Sequence, residues 1–336
     1  MTHQNTKETT VSRTTRRHFL AASAALAGAP HLAFAATCTT GPVRIIVPYP
    51  PGAATDALAR MLGQALETEL GCTYIVDNKG GAATQIGTKA IATARPDGQT
   101  LGFIDTSFVI NPGLFGAALP YDTLKDFVPI SLMATAPLVL IAHNAVPART
   151  MQEFLDLAKA QPGKLSYGSA GVGSAPHLAG EQLRQAAGID IAHVPYRGGS
   201  TVLNDLIAGH VQFGFTTVPT MLEHIRAGTV RALAVTSAAR SPQLSNVPTM
   251  KEVGLAKVDT TPLFGLIAPA QLPADMVGAL AGAAMKLVKS GSVRQRLEET
   301  GFVPVGSSAP EFAARIRAEI AKWTEVVKAG NIKPNT

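Results

Sequence analysis

The sequence predicts an α/β protein made of two similar units followed by a helical end. Apolar runs rich in β-branched residues alternate with amphipathic patterns, and turns that contain Gly or Pro separate them. The last third of the chain has helical periodicity. Because alternating strands and helices favour a parallel sheet with right-handed crossovers, we expect one such sheet in each unit.

The first unit begins with a β-α-β-α-β series. Short apolar runs predict its strands, and amphipathic patterns predict its helices. The turn Pro96-Asp97-Gly98 separates its second helix from its third strand. The predicted strands are 43–47, 73–76 and 101–104, and the predicted helices are 56–70 and 84–94.

The middle of the chain repeats this alternation, and a helical end follows it. We expect Gly188 to end one helix and Trp323 to anchor the last helix in the core. Short hinges are expected near residues 136–142 and 258–266. The predicted strands are 138–141, 165–167, 191–194, 211–215 and 231–235, and the predicted helices are 151–160, 174–187, 201–208, 219–227, 274–288 and 309–327.

Residues 1–35 are predicted to be an export signal. The motif Thr15-Arg16-Arg17-His18-Phe19-Leu20 has the twin-arginine form, and the apolar run that follows is too short to span a bilayer. Ala33-Phe34-Ala35 has the small residues of a signal-peptidase site, so we expect cleavage after Ala35. The alternative is an N-terminal membrane anchor, which would need a stop-transfer pattern.

The charge of the chain does not favour nucleic acid as a partner. The formal net charge of +6 falls to +3 without residues 1–35, because 25 basic and 22 acidic residues remain. No dense Lys/Arg run with interleaved aromatic residues follows the signal. No later segment approaches the roughly 20 apolar residues of a membrane span.

We expect a disulfide between Cys38 and Cys72. Both cysteines lie in the exported part, where oxidation is permitted, and each precedes an apolar strand pattern by a few residues. If those strands are parallel neighbours, the two sulfur atoms lie at one edge of the sheet. Two free thiols are the alternative.

The turn after the first strand is the first candidate ligand loop. Gly52 allows close backbone approach, and the amides of Ala53, Ala54 and Thr55 can point at one spot at a helix N-terminus. Such a cradle binds an anion without an arginine. The alternative is an ordinary helix start, in which Thr55 or Asp56 satisfies unpaired amides.

A second strand-to-helix loop, Ser166–His177, combines glycines with hydroxyl groups. Its candidate contacts are Ala170, Gly173, Ser174 and His177. The Gly-x-Gly pattern in this loop is poor evidence for a dinucleotide site, because Pro176 replaces the third glycine. The third candidate loop follows the third predicted strand and contains Thr106, Ser107 and Phe108.

Patterns for catalysis are weak, so we expect a protein that is not an enzyme and that uses no cofactor or metal. There is no Gly-x-Ser-x-Gly elbow, since Tyr167 stands two residues before Ser169. There is no His-Glu-x-x-His or paired-Cys motif. The alternative is an exported hydrolase-like enzyme with Ser169 or Ser174 as nucleophile, which needs His177 or His193 within hydrogen-bond reach and an acid behind it.

A series of short motifs extends over nearly the whole exported chain. The first is the strand Val43–Val47 with the turn Pro48–Asp56. The others are Val76-Asp77-Asn78-Lys79, Pro96-Asp97-Gly98, Ile110-Asn111-Pro112, Leu119-Pro120-Tyr121-Asp122, Lys125-Asp126-Phe127, Pro162-Gly163-Lys164-Leu165, His193-Val194-Pro195-Tyr196-Arg197-Gly198, Arg231-Ala232-Leu233-Ala234-Val235-Thr236 and Val247-Pro248-Thr249. In this order they resemble the motifs of the periplasmic solute receptors of tripartite tricarboxylate transporters, often called Bug proteins.

The resemblance implies a type II periplasmic-binding-protein fold with two α/β domains and a ligand cleft between them. Residues 43–138 and 263–330 would form domain 1, and residues 139–262 would form domain 2. It also implies a monomeric periplasmic receptor for a small carboxylate or dicarboxylate, aliphatic or aromatic. Its partners would be the membrane components of the transporter or a sensor kinase.

One departure from the family pattern bears on the ligand. Family members often carry an aspartate pair where this chain has Gln212 and Thr216, and the loss of these acids favours an anion without an amino group. Tyr49, Phe108 and Phe264 are aromatic candidates for contact with the ligand, although a core role is equally consistent with each of them.

Overall fold

The computed structural model describes Met1, residues 41–289 and residues 291–334. The predicted export signal and Cys38 lie outside the described residues. The strands are β1 Val43–Val47, β2 Tyr74–Asn78, β3 Thr100–Asp105, β4 Phe127–Thr135, β5 Leu138–His143, β6 Ser166–Ser169, β7 Ala192–Pro195, β8 Phe213–Thr217, β9 Val230–Val235, β10 Leu263–Pro269 and β11 Val303–Pro304. The helices are α1 Ala54–Leu70, α2 Gln85–Ala92, α3 Ser107–Phe115, α4 Met151–Ala160, α5 Ala175–Ala187, α6 Gly199–Ala208, α7 Val218–Arg226, α8 Ala274–Lys289, α9 Gly291–Glu299 and α10 Ala309–Ala329.

The strands form two sheets, each with helices on both faces. The first sheet has the order β11-β4-β10-β3-β1-β2, and the second has the order β7-β6-β8-β5-β9. We call the two halves built on them the first lobe and the second lobe. The chain leaves the first sheet at Thr135, enters the second at Leu138, and returns to the first at Leu263.

The sheets are mixed, so the expectation of purely parallel sheets is wrong. β1 is parallel to β2 and β3, but β10 is antiparallel to β3 and β4. In the second sheet, β5 is antiparallel to β8 and β9. The sequence analysis did not find β4 or β10, because Pro129 interrupts the strand pattern of β4 and β10 is a continuous apolar run without alternation.

Local signals explain where helix α5 begins and ends. Ser174 caps α5 by accepting a hydrogen bond from the His177 amide at 3.4 Å, and Pro176 lies in the first turn. The helix ends at Gly188, as predicted, with φ of +61°. The loop between β6 and α5 therefore has a rigid strand on one side and a capped helix on the other.

The helical end of the chain packs on the first lobe. Trp323 of α10 is 1% exposed, as expected for a core anchor, and its indole Nε1 donates to Glu319 at 2.7 Å. It lies in the same apolar cluster as Phe108 of α3 and Phe312. Leu178 from the second lobe belongs to this cluster as well, so the two lobes share apolar contacts beside the cavity.

Cys72 is buried just before β2. The described part of the chain contains no free cysteine. Because Cys38 lies outside the described residues, the disulfide between Cys38 and Cys72 stays a prediction. Among residues 41–289 and 291–334, no helix is long and apolar enough to cross a bilayer.

Candidate ligand site

A cavity of about 790 Å³ lies between the two lobes, at the loops that follow strands of both sheets. The first lobe contributes Pro48–Pro50, Gly80–Gln85, Ser107 and Phe115. The second lobe contributes Ala170–Val172, Ser174 and Pro195–Arg197. Crevices at the carboxyl ends of strands are where open α/β sheets bind ligands.

Some of the predicted contact residues meet in this cavity and others do not. Those that line it are Tyr49, Ser107, Ala170 and Ser174. A separate cavity of about 540 Å³ beside the first turn is lined by Gly52, Ala53 and Ala54. The predicted residues that line neither cavity are Thr55, Asp56, Thr106, Phe108, Gly173, His177 and Thr216.

Asp56 uses its carboxylate to hold the first turn together. It is 4% exposed and accepts from the Gly52 amide at 3.0 Å, from Asn78 Nδ2 at 2.9 Å and from Arg60 Nε at 3.1 Å. Burial opposes ionisation, yet the hydrogen bonds from Arg60, Gly52 and Asn78 hold the pKa of Asp56 below its usual value. Asp56 thus satisfies the Gly52 amide, which precedes the three amides that the sequence analysis proposed for an anion.

The remaining predicted residues outside the cavity are packed or bonded within the protein. The Thr106 hydroxyl accepts from the Leu263 amide at 2.9 Å. Phe108 packs edge to face on Phe127, with ring centroids 5.1 Å apart. Thr55 and Thr216 are each 5% exposed. The aromatic candidate Phe264 is 2% exposed and packs on Phe302 with its ring centroid 5.5 Å away.

The loop between β6 and α5, which is the second candidate ligand loop, satisfies most of its own main-chain amides. The amide of Gly171 donates to Ser169 Oγ at 3.1 Å, and the amide of Gly173 donates to His177 Nδ1 at 3.2 Å. The Ser174 amide donates to the Gly171 carbonyl at 3.1 Å, and its hydroxyl donates to the same carbonyl at 2.6 Å. Fewer main-chain donors are therefore free for an anion than the glycine pattern predicted.

The hydroxyl groups of Tyr49 and Ser107 line the cavity in the first lobe, and the Asp105 carboxyl, which does not line it, is bonded to both residues. Tyr49 Oη lies 2.7 Å from Ser107 Oγ and 3.1 Å from Asp105 Oδ1, and the Ser107 amide donates to the same carboxylate oxygen at 2.9 Å. Burial raises the pKa of Asp105 to about 6. Burial and the neighbouring Asp105 raise the pKa of the Tyr49 hydroxyl well above its usual value.

The sequence analysis missed the turn between β2 and α2, which forms one wall of the cavity. Four consecutive residues have positive φ: Gly81 at +127°, Ala82 at +45°, Ala83 at +50° and Thr84 at +73°. Three of them are not glycine, which is uncommon outside strained functional turns. The pair Gly80-Gly81 directly after a strand could have indicated this turn. The sequence analysis instead predicted only the helix that begins at Thr84.

Arg197 also lines the cavity and was not among the predicted contact residues. It follows β7 within the motif Pro195-Tyr196-Arg197-Gly198 and is the one charged side chain among the described residues that line the cavity. The cavity lining therefore includes an arginine in addition to the main-chain turns that the sequence analysis proposed for an anion.

A serine and a histidine lie close together beneath the second turn, as the enzyme alternative required. Ser169 Oγ is 2.7 Å from His193 Nε2. Ser169 is 0% exposed, however, and is not among the residues that line the cavity. The nearby carboxylate of Glu181 accepts from the Tyr167 hydroxyl at 2.9 Å and from Arg184 at 3.2 Å, with no bond to His193 among the described residues.

The two histidines of this cluster are stacked and uncharged. The rings of His177 and His193 have centroids 4.1 Å apart at an angle of 21°. Burial lowers the pKa of His177 to about 4. Burial, together with the neighbouring His177, lowers the pKa of His193 to about 3. The group of Ser169, His193 and His177 supports the turn above it and lacks the oriented acid and accessible hydroxyl of a catalytic triad.

Comparison with known proteins gives the same class of fold. BugT of Bordetella pertussis is 33% identical over 293 residues, which cover 87% of this chain and 90% of BugT. An R. palustris protein solved with adipate has a TM-score of 0.85 and 31% identity, with 88% of this chain and 99% of that chain covered. MatC from Rhodopseudomonas palustris, solved with malate, has a TM-score of 0.80 and 28% identity, with 85% and 98% covered.

The family model described as the tripartite tricarboxylate transporter family receptor matches residues 58–332. The solved structure of the periplasmic binding protein BugD, 31% identical, has a TM-score of 0.83 and confirms the two-domain α/β fold. The protein is a receptor and not an enzyme. The chain belongs to the receptor family of the tripartite tricarboxylate transporters, whose Bug-type members it resembles over almost its whole described length.

Proposed function

We propose that this receptor binds a small organic carboxylate in the cavity between its lobes. The observation that carries the proposal is the charge of the cavity: its lining has one basic side chain and no acidic one among the described residues. The adipate and malate in the two R. palustris structures are carboxylates as well. An anion of this kind gains from a cation and hydroxyl donors in a partly enclosed space.

The contact residues proposed for the carboxylate are the predicted ones that reach the cavity, namely Tyr49, Ser107, Ala170 and Ser174. Asp56, Thr106 and His177 are proposed to support the site. The side chain of each accepts a hydrogen bond from a main-chain amide of a loop or strand beside it. Residues 43–138 with 263–330 are proposed to move as one domain and residues 139–262 as the other. Closing of the two domains would trap the ligand.

We further propose that the chain is exported by its twin-arginine signal, cleaved after Ala35 and released into the periplasm as a monomer. A disulfide between Cys38 and Cys72 would then form in that oxidising compartment. The proposed partners are the membrane components of a tripartite tricarboxylate transporter, with a sensor kinase as the other recipient of the loaded receptor.

The experiment is isothermal titration of the protein without residues 1–35 against malate, adipate and benzoate, with the corresponding amides as controls. A carboxylate present at 100 times its Kd should raise the unfolding free energy by about 2.7 kcal/mol, which a melting curve detects. Absence of binding and of any melting shift with all three carboxylates would contradict the proposed function.

A further inference from the structure

We propose that the ligand is a hydroxycarboxylate, and that its hydroxyl group donates a hydrogen bond to the pair of oxygens formed by Tyr49 Oη and Ser107 Oγ. Other donors of the cavity would hold its carboxylate. This inference rests on the proposed function, because it names the class of carboxylate that the same cavity binds.

Tyr49 and Ser107 have two hydroxyl hydrogens between them, and both are used inside the protein. Tyr49 Oη donates to Asp105 Oδ1 at 3.1 Å. Because that bond uses the hydrogen of the tyrosine, the 2.7 Å bond between Tyr49 Oη and Ser107 Oγ must use the hydrogen of the serine. If the two hydroxyls exchanged roles, both hydrogens would still be used within this group. The pair can therefore accept a hydrogen bond from a ligand but cannot donate one.

The Asp105 carboxyl sets the direction of these bonds. Burial raises the pKa of Asp105 to about 6, so the carboxyl is ionised at about pH 8 and can only accept. It also accepts from the Ser107 amide at 2.9 Å. Since Asp105 does not line the cavity, a ligand meets the two hydroxyl oxygens and not the carboxylate that takes up their hydrogen.

Both residues reach the cavity with acceptor capacity to spare. Tyr49 is 8% exposed and Ser107 is 3% exposed, and both line the cavity. Apart from Tyr49, no residue that the structure describes donates to Ser107 Oγ. A hydroxyl oxygen has two lone pairs, so at least one of them is left on Ser107 for a ligand. A ligand group that donates gains a hydrogen bond here, whereas a methylene group would leave this oxygen unpaired.

The other hydroxyl groups of the cavity differ in whether they can donate. Ser174 Oγ gives its hydrogen to the Gly171 carbonyl at 2.6 Å, so it too can only accept. Thr84 also lines the cavity, and its Oγ1 accepts from Asn111 Nδ2 at 3.2 Å, while no described residue accepts the hydrogen of Thr84. Thr84 is therefore available to a carboxylate oxygen, and the pair in the first lobe is not.

A hydroxyl group fits the pair better than an ammonium group does. An ammonium that leaves water needs a carboxylate in contact with it, and no acidic side chain lines the cavity among the described residues. Asp105 lies behind the pair, where its Oδ1 already accepts from Tyr49 and from the Ser107 amide. A neutral hydroxyl needs an acceptor but no counter-charge, which is what the pair provides.

The test compares acids that differ in one group. Succinate has no hydroxyl, malate has one, methoxysuccinate has an ether oxygen that cannot donate, and aspartate has an ammonium group. Adipate with 2-hydroxyadipate, and phenylacetate with mandelate, extend the comparison to a longer and an aromatic acid, with the same replacements. Both enantiomers of each chiral acid are titrated calorimetrically at about pH 8. In the series that binds, we expect the hydroxy acid to bind at least about tenfold more tightly than each of the others.

Substitution of the pair should remove this preference. Ser107→Ala should reduce it, and Ser107→Ala combined with Tyr49→Phe should bring the hydroxy acid and the plain acid within about threefold of each other, because no oxygen is left to accept from the ligand. A structural role alone would weaken both acids equally and leave their ratio unchanged. Ser245→Ala, at an exposed serine outside the cavity, is the matched control and should alter neither affinity. Melting curves confirm that each variant is folded.

Equal binding of the hydroxy acid and the plain acid by the wild type would overturn the inference and leave the proposed function intact. Methoxysuccinate or aspartate that binds as tightly as malate would overturn it too, since an ether oxygen cannot donate and an ammonium group is not a hydroxyl. A preference that persists unchanged in both variants would show that another group recognises the hydroxyl. If the wild type binds none of the acids, the proposed function fails, and this inference fails with it.

Discussion

The side-chain amide of Asn111 donates to the carbonyl of Ala83 at 2.9 Å and holds the left-handed turn that forms one wall of the cavity. Asn111 is 0% exposed, and its Nδ2 also lies 3.2 Å from Thr84 Oγ1. Left-handed conformation costs about 1–2 kcal/mol for each non-glycine residue, so the turn needs such a support. Asn111 is a positioning residue, because it acts on the site through this turn.

Asn111→Asp should loosen the turn, because it replaces the donor with an oxygen that faces the Ala83 carbonyl. We expect the unfolding free energy to fall by about 1–3 kcal/mol and the affinity for a bound carboxylate to decrease. Urea unfolding and calorimetric titration measure the two effects. Asn144→Asp makes the same chemical change at an exposed side chain that donates to the Gly228 carbonyl at 2.6 Å. Equal losses in the two variants would contradict the role assigned to Asn111.

Ala83→Gly should stabilise the protein, in contrast to the usual effect of this substitution. Because Ala83 has φ of +50°, glycine relieves strain there, and we expect a gain of up to about 1 kcal/mol in the unfolding free energy. Ala318→Gly, at an exposed position inside α10, should cost about 1 kcal/mol. Chemical unfolding of both variants gives the comparison, and a loss at both positions would show that the turn is unstrained.

Stability should decrease as the pH falls below about 6.5, the pKa of an unperturbed histidine. The pKa values of His177 and His193 are lowered to about 4 and about 3, so the unfolded state binds protons that the folded state does not. Each histidine then removes up to about 1.4 kcal/mol per pH unit until its folded pKa is reached. Asp105 has the opposite effect, because its raised pKa of about 6 favours the folded state at acid pH.

The measurement for this pH dependence is the slope of the unfolding free energy between pH 4 and pH 6. His193→Gln should reduce the slope, since glutamine keeps a partner for Ser169 without titrating. An unaltered slope in His193→Gln would mean that the buried pair does not control acid stability.

Ser169→Ala tests whether the Ser169 hydroxyl is a structural group or a nucleophile. Because Ser169 is buried and bonded to the Gly171 amide and to His193, we expect a loss of about 1–3 kcal/mol in the unfolding free energy. Ser245→Ala, at an exposed serine, should have little effect. Hydrolysis of an activated ester such as p-nitrophenyl acetate should proceed equally slowly with the wild type and with Ser169→Ala. A rate that depends on Ser169 would revive the enzyme alternative.

Several elements could be predicted from the sequence because their signals are local. The helix that begins after Ser174 and ends at Gly188 has a capping serine, an early proline and a terminal glycine. The export motif and the resemblance to a receptor family likewise depend on short patterns along the chain. The antiparallel placement of β10 could not be predicted, since it depends on a partner strand more than 120 residues earlier in the chain, a pairing that leaves no periodic signal.

The α/β class, the two similar units and the small-residue turns after their strands could be predicted from the sequence, because periodicity and turn chemistry depend on neighbouring residues. The set of residues that line the cavity could be seen only in the folded protein. Asp56 and His177 accept hydrogen bonds from the Gly52 and Gly173 amides, and Arg197 and the turn at Gly80–Gln85 reach the cavity from different lobes. Whether a donor is free depends on all its neighbours in space, and residues far apart in the chain become neighbours only in the complete fold.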